Sequence, residues 1–136
     1  MPERRVVQKA KMDLRQGKRP STAAGGFVHE EIKHVRQGKH GARSTKQAIA
    51  IGLSKARRAG VPLKPPGRGK TSARTRHSAE RDYETGQGRR KPRTRSNRRS
   101  RAVGRALERE PRGTVSKRAL SRQAKRAAGK RRRKAA

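Results

Sequence analysis

Residues 44–60 read Ser44-Thr45-Lys46-Gln47-Ala48-Ile49-Ala50-Ile51-Gly52-Leu53-Ser54-Lys55-Ala56-Arg57-Arg58-Ala59-Gly60. Ser44 and Gln47 form a capping box, in which the Ser44 hydroxyl and the Gln47 amide each reach an orphan backbone donor. Gly60 supplies a C-terminal stop, so the spacing predicts a helix to about Ala59. On it Ala48, Ile49, Gly52, Leu53, Ala56 and Ala59 share one face. The Ala48, Gly52, Ala56 spacing leaves a flat strip that another helix can approach closely. The alternative is that Gly52 is a tolerated weak spot costing about 1 kcal/mol relative to alanine.

Two more helix-period patterns precede it. Val6, Val7, Ala10 and Leu14 fall on one face before Gly17. Ser21 or Thr22 caps a second helix with the stripe Ala24, Val28, Ile32 and Val35, Phe27 at its edge and Gly38 as stop. Gly25 and Gly26 weaken its first turn. The fold class expected is mostly α: a small, marginal helical module over 1–63, then a largely disordered, partly helical basic tail over 64–136. The boundary is Val61-Pro62-Leu63-Lys64-Pro65-Pro66-Gly67, which reads as a stiff linker. Beyond it, Ser72 to about Tyr83 suggests a short helix, and residues 86–100 read as an extended basic run. Ser100 caps a helix carrying Val103 and Leu107 and halted by Pro111. Thr114 or Ser116 caps a last one with Ala119, Leu120, Ala124 and Ala127.

Charge decides the partner. The chain has 136 residues, 42 of them Lys or Arg against nine acids, a net charge of +33. Arginine outnumbers lysine 28 to 14. Such a chain repels itself unless a polyanion neutralises it, and DNA and RNA release condensed counterions when cationic side chains bind. Apolar residues make up 27%, too few to offset much backbone entropy. Cysteine is absent, which excludes disulfides and thiolate metal sites. No stretch reads as a secretory signal or a membrane span. The expected location is cytoplasmic, at the nucleoid.

Motifs for chemistry fail on inspection. Gly67-Arg68-Gly69-Lys70-Thr71 lacks the earlier glycine of a P-loop, because position 64 is Lys64. Gly86-Gln87-Gly88 begins a dinucleotide fingerprint that Lys91 breaks, and His29-Glu30 begins a zinc motif that Lys33 breaks. Glu30 and Glu31 are adjacent on a helix and face different ways, which suits pairing with Lys33 and His34 better than joint catalysis. No enzyme activity, metal, cofactor or small-molecule substrate is expected. A helix-turn-helix fits poorly, since residues 38–43 exceed the usual 3–4-residue turn. Phe27 and Tyr83 are the only aromatics and cannot build a stacking platform for single strands.

The candidate nucleic-acid contacts are therefore basic. Lys39, His40 and Arg43 lie beside the amides opening the Ser44 helix, an anion-binding geometry. Ser44, Lys46, Lys55, Arg57 and Arg58 fall on that helix or its cap. The low-complexity run adds Arg89, Arg90, Lys91, Arg93, Arg95, Arg98 and Arg99, and the end adds Lys130, Arg131, Arg132, Arg133 and Lys134.

The stretch from Ser21 through Glu31, with the string Gly38-Lys39-His40-Gly41-Ala42-Arg43-Ser44-Thr45-Lys46-Gln47-Ala48 and its continuation to Val61, resembles an uncharacterised bacterial family of short basic proteins. These are sometimes labelled DNA-binding or plasmid-stabilisation proteins. The likeness covers residues 1 to about 87, and Gly26 departs from a glutamate in the family pattern. The tail is similar in composition to linker-histone tails. The resemblance implies a bacterial, basic, DNA-associated protein and no mechanism. The reading is thus a non-enzymatic, nucleoid-associated architectural protein that binds the phosphate backbone largely without sequence specificity. DNA is favoured over RNA as partner, and a homodimer is possible. The alternatives are an RNA- or ribosome-associated protein, and an adaptor that uses the Ala48/Gly52/Ala56 strip to hold a partner helix.

Overall fold

Among the described residues, four helices open on a serine hydroxyl. The computed structural model describes residues 2–94 and 96–135. Among them are α1 (Arg4–Arg15), α2 (Pro20–Arg36), α3 (Thr45–Arg58), α4 (Ala73–Gly86), α5 (Asn97–Glu108), a 3-10 turn (Gly113–Val115) and α6 (Lys117–Ala135), with no strand. Ser44 Oγ accepts from Gln47 N at 3.1 Å, Ser72 Oγ from Thr75 N at 3.2 Å, Ser96 Oγ from Arg99 N at 3.1 Å and Ser116 Oγ from Ala119 N at 3.2 Å. Each cap satisfies one of the four orphan donors at a helix start. α2 starts a residue earlier than Ser21 because Pro20 is suited to the first helical position, where its missing N–H costs nothing.

The expectation of a largely disordered second half is corrected here. Among the described residues of this half, the three expected helices are present as α4, α5 and α6 with a 3-10 turn, and they take up most of it. Apolar burial was the wrong gauge for this region: Ala, Arg, Lys, Gln and Leu are all strong helix formers, and serine caps start helices without a core. α5 begins at Asn97 under a Ser96 cap, four residues before the expected Ser100 start.

The chain divides into two compact units, each assembled from two separate stretches: residues 1–31 with 50–94, and residues 32–49 with 95–136. In the first, Phe27 is fully buried among Ala10, Ala23, Ala24, Ala56 and Val61, with Val6, Val7, Leu14, Leu53 and Leu63 packed around them. α3 lies close against α2, since a Cβ at Gly52 would sit 2.6 Å from Val28 Cα. α4 meets the end of α3 at Gly86, where a Cβ would overlap the Arg57 carbonyl. The proline-rich segment contributes Val61 and Leu63 to this core.

The second unit has a smaller core of Val35, Ala42, Ala48 and Val115, flanked by Ile32. The chain between α2 and α3 is clamped there by residues 107–115. Gly41 N donates to Leu107 O and Ala42 N to Pro111 O, each at 2.8 Å. Thr114 Oγ1 donates to Ala42 O at 2.9 Å, Thr45 Oγ1 to Thr114 O, and Arg36 Nε to Val115 O at 3.0 Å. Gly41 packs so tightly that a Cβ would overlap the Glu110 carbonyl. Ala48, Gly52 and Ala56 are all buried, so the strip proposed for an adaptor is taken up by the chain's own packing.

Candidate nucleic-acid interface

Acidic and basic residues are distributed unequally between the two units. The first unit holds 20 Lys and Arg against seven acids, and the second holds 22 against two, Glu108 and Glu110. Net charge is thus +13 on 76 residues and +20 on 60.

Acids of the first unit have internal partners. Asp13 takes Lys9 and Lys18, each at 2.9 Å. Hydrogen bonds from Lys18 and then Lys9 hold the Asp13 carboxyl below its ordinary value, outweighing burial, which acts the other way. Buried Glu31 pairs with Lys55, and buried Glu30 accepts from Glu3 N at 2.8 Å. Glu80 lies 3.8 Å from Arg76 and Glu84 3.6 Å from Arg90.

This arrangement sorts the residues expected to touch nucleic acid. Arg57 is only 7% exposed, and its guanidinium donates to Leu63 O at 3.1 Å and Lys64 O at 3.4 Å. Desolvation lowers its affinity for a proton, and Asp82 opposes that. A five-donor side chain satisfies carbonyls that an extended proline-rich segment leaves without a ladder partner. Arg57 therefore holds the fold, as does Lys55 through Glu31. Arg58, Arg89, Arg90, Lys91 and Arg93 are exposed on the first unit. Arg95 lies outside the described residues. Lys39, Arg43, Lys46, Arg98, Arg99 and Lys130 to Lys134 are exposed on the second unit. Ser44 is half-buried, and its cap occupies the Gln47 amide, while Gln47 Oε1 accepts from Arg43 N at 2.6 Å. The capping box thus takes up backbone donors that an anion at the start of α3 would need.

Among the described helices α6 carries the densest exposed charge, and α5 adds four exposed arginines on the same unit. α6 has ten Lys and Arg in 19 residues and no acid, and Ala119 is its one buried position among the described residues. At about 1.5 Å rise per residue it is about 28 Å long, so cations recur about every 3 Å. One DNA strand carries a phosphate about every 3.4 Å of axis. α5 has no buried residue at all, and a shallow groove along it is lined by Asn97, Arg98, Arg101, Ala102 and Arg105. Arg101, Arg105, Arg118, Arg122, Lys125 and Arg126 were absent from the expected contacts. Their signal was helical spacing, Arg98-Arg101-Arg105 and Arg118-Arg122-Arg126; the first of these rows is hidden while the helix is started at Ser100 and appears once it starts at Asn97.

A family model described as a family of unknown function (DUF6496) matches residues 22–66, a third of the chain, from α2 through α3 into the proline-rich segment. That description names neither DNA binding nor plasmid stabilisation. No curated protein and no solved structure matches the chain. No helix among the described residues is long and apolar enough to cross a membrane.

Proposed function

We propose that this protein is a non-enzymatic, nucleoid-associated DNA-binding protein that grips the phosphate backbone with its second unit. One observation carries the reading: 22 cations against two acids collect in one unit, 14 of them on α5 and α6, which bury only Ala119 between them among the described residues. α6 matches the linear charge density of a phosphate strand, and Lys39, Arg43 and Lys46 add further exposed cations to the same unit. The first unit pairs several of its cations internally, keeps a net +13, and acts as a packed anchor. Binding is dominated by counterion release, which is independent of base sequence.

RNA offers the same phosphate chemistry, so the experiment is competition. Fluorescent duplex DNA bound to the full-length chain is challenged at one salt concentration with duplex DNA, duplex RNA and a folded RNA. The proposal expects duplex DNA to displace best. Displacement by folded RNA at a much lower concentration would replace the reading with an RNA-associated one.

A further inference from the structure

Beyond gripping phosphates, we infer that α5 is a groove-reading helix that enters the major groove of duplex DNA and contacts base edges through Asn97, Arg98, Arg101, Ala102 and Arg105. The inference rests on the DNA-binding reading above and adds sequence preference to it.

At about 100° per residue, Arg98, Arg101 and Arg105 fall within an arc of about 60° and span about 10 Å along the helix, or about three base-pair steps. Asn97 and Ala102 flank that arc, and the five side chains line one groove. These residue types suit base edges. Arginine pairs bidentately with guanine O6 and N7, asparagine with adenine N6 and N7, and alanine packs on the thymine methyl. Glu108 falls on the same side one turn beyond Arg105, and its carboxylate confines close contact to the first two turns. Val103 and Leu107 lie on the opposite side, and Arg99 falls beside Val103, off the stripe, where it can reach a phosphate rather than a base edge. On α6, by contrast, Lys130 to Lys134 are consecutive and cover every direction, as suits a phosphate clamp.

α5 is also presented as a reading helix needs to be. None of its residues is buried, while its C-terminal end is fixed by the bonds from Gly41 N to Leu107 O and Ala42 N to Pro111 O. A helix of about 10–12 Å diameter fits the roughly 12 Å major groove of B-form DNA. The deep, narrow major groove of A-form RNA does not admit it.

The test is selection from a randomised duplex DNA library by the full-length chain at about 150 mM salt. It is repeated with the Arg98→Lys/Arg101→Lys/Arg105→Lys variant, which keeps every charge and removes only the bidentate forks. The native chain should enrich a short motif containing guanine. The lysine variant should bind total DNA within about twofold yet discriminate against mismatched sites roughly five- to 150-fold less per lost contact. No enrichment by the native chain, undiminished enrichment by the variant, or preference for duplex RNA over the selected DNA would overturn the inference and leave backbone binding standing. Failure of the native chain to retain any DNA at low salt removes the underlying reading and the inference together.

Discussion

Gly52→Ala sets two effects against each other, and the structure says which wins. On helix propensity alone, alanine at a mid-helix glycine stabilises by about 1 kcal/mol. In α3, though, an added Cβ would sit 2.6 Å from Val28 Cα and 2.9 Å from Val28 N. Both are backbone atoms, so no rotamer change relieves the contact, and α2 and α3 must separate by about 1 Å to restore ordinary carbon contact distances. Overpacking of this kind costs about 1–3 kcal/mol, and the separation also loosens the packing around Phe27 and Ala56. The propensity gain of about 1 kcal/mol offsets part of this, leaving a net loss of up to about 2 kcal/mol. Gly25→Ala is the internal control: it sits in α2 with nothing within 4 Å of an added Cβ, so it should stabilise by up to about 1 kcal/mol. Urea denaturation followed by circular dichroism gives both values. If the two substitutions shift stability in the same direction, the close approach of α2 and α3 is wrong.

Three further outcomes follow from the packing. Arg57→Ala should lower stability by about 2–3 kcal/mol in the same assay, because it strands the Leu63 and Lys64 carbonyls, whereas Arg58→Ala, at an exposed site, should change it by less than about 0.5 kcal/mol. Asp13 has a depressed folded pKa, so its contribution is present above the unfolded carboxylate value of 3.8 and is lost as pH falls through the folded one. Asp13→Asn should therefore lower stability at pH 7 and flatten the acid limb of a stability–pH curve. Val115→Ala should cost about 1–3 kcal/mol and speed amide exchange at Gly41 and Ala42, since Val115 is fully buried beside the clamp that holds them.

The sequence announced elements whose signals are local. The Val6, Val7, Ala10, Leu14 stripe and the Ser44 capping box needed only near neighbours to be recognised, and both elements stand in the structure. The Ala48, Gly52, Ala56 strip pointed correctly to a close helix contact, but not to α2 as its partner. Val115 gave no warning: it is one valine between Pro111 and Ser116, without periodic company, and its partners lie some 70 residues away. Arg57 misled by residue type, because the carbonyls it serves belong to an irregular segment whose course no local rule predicts. Helices near Ser100 and after Ser116 were legible from their caps, but the low apolar content of residues 64–136 argued wrongly for a largely disordered tail around them. Their arginine spacing was present throughout, and it makes the candidate surface intelligible once the serine caps are read as helix starts.

The salt dependence of duplex DNA binding by the full-length chain tests the central claim most directly. If six to ten phosphates are neutralised, the plot of log association constant against log salt should have a slope of about −5 to −9, and affinity should fall roughly 10³–10⁵-fold between 50 and 200 mM. A flat response, or no retention of nucleic acid even at low ionic strength, would contradict the account.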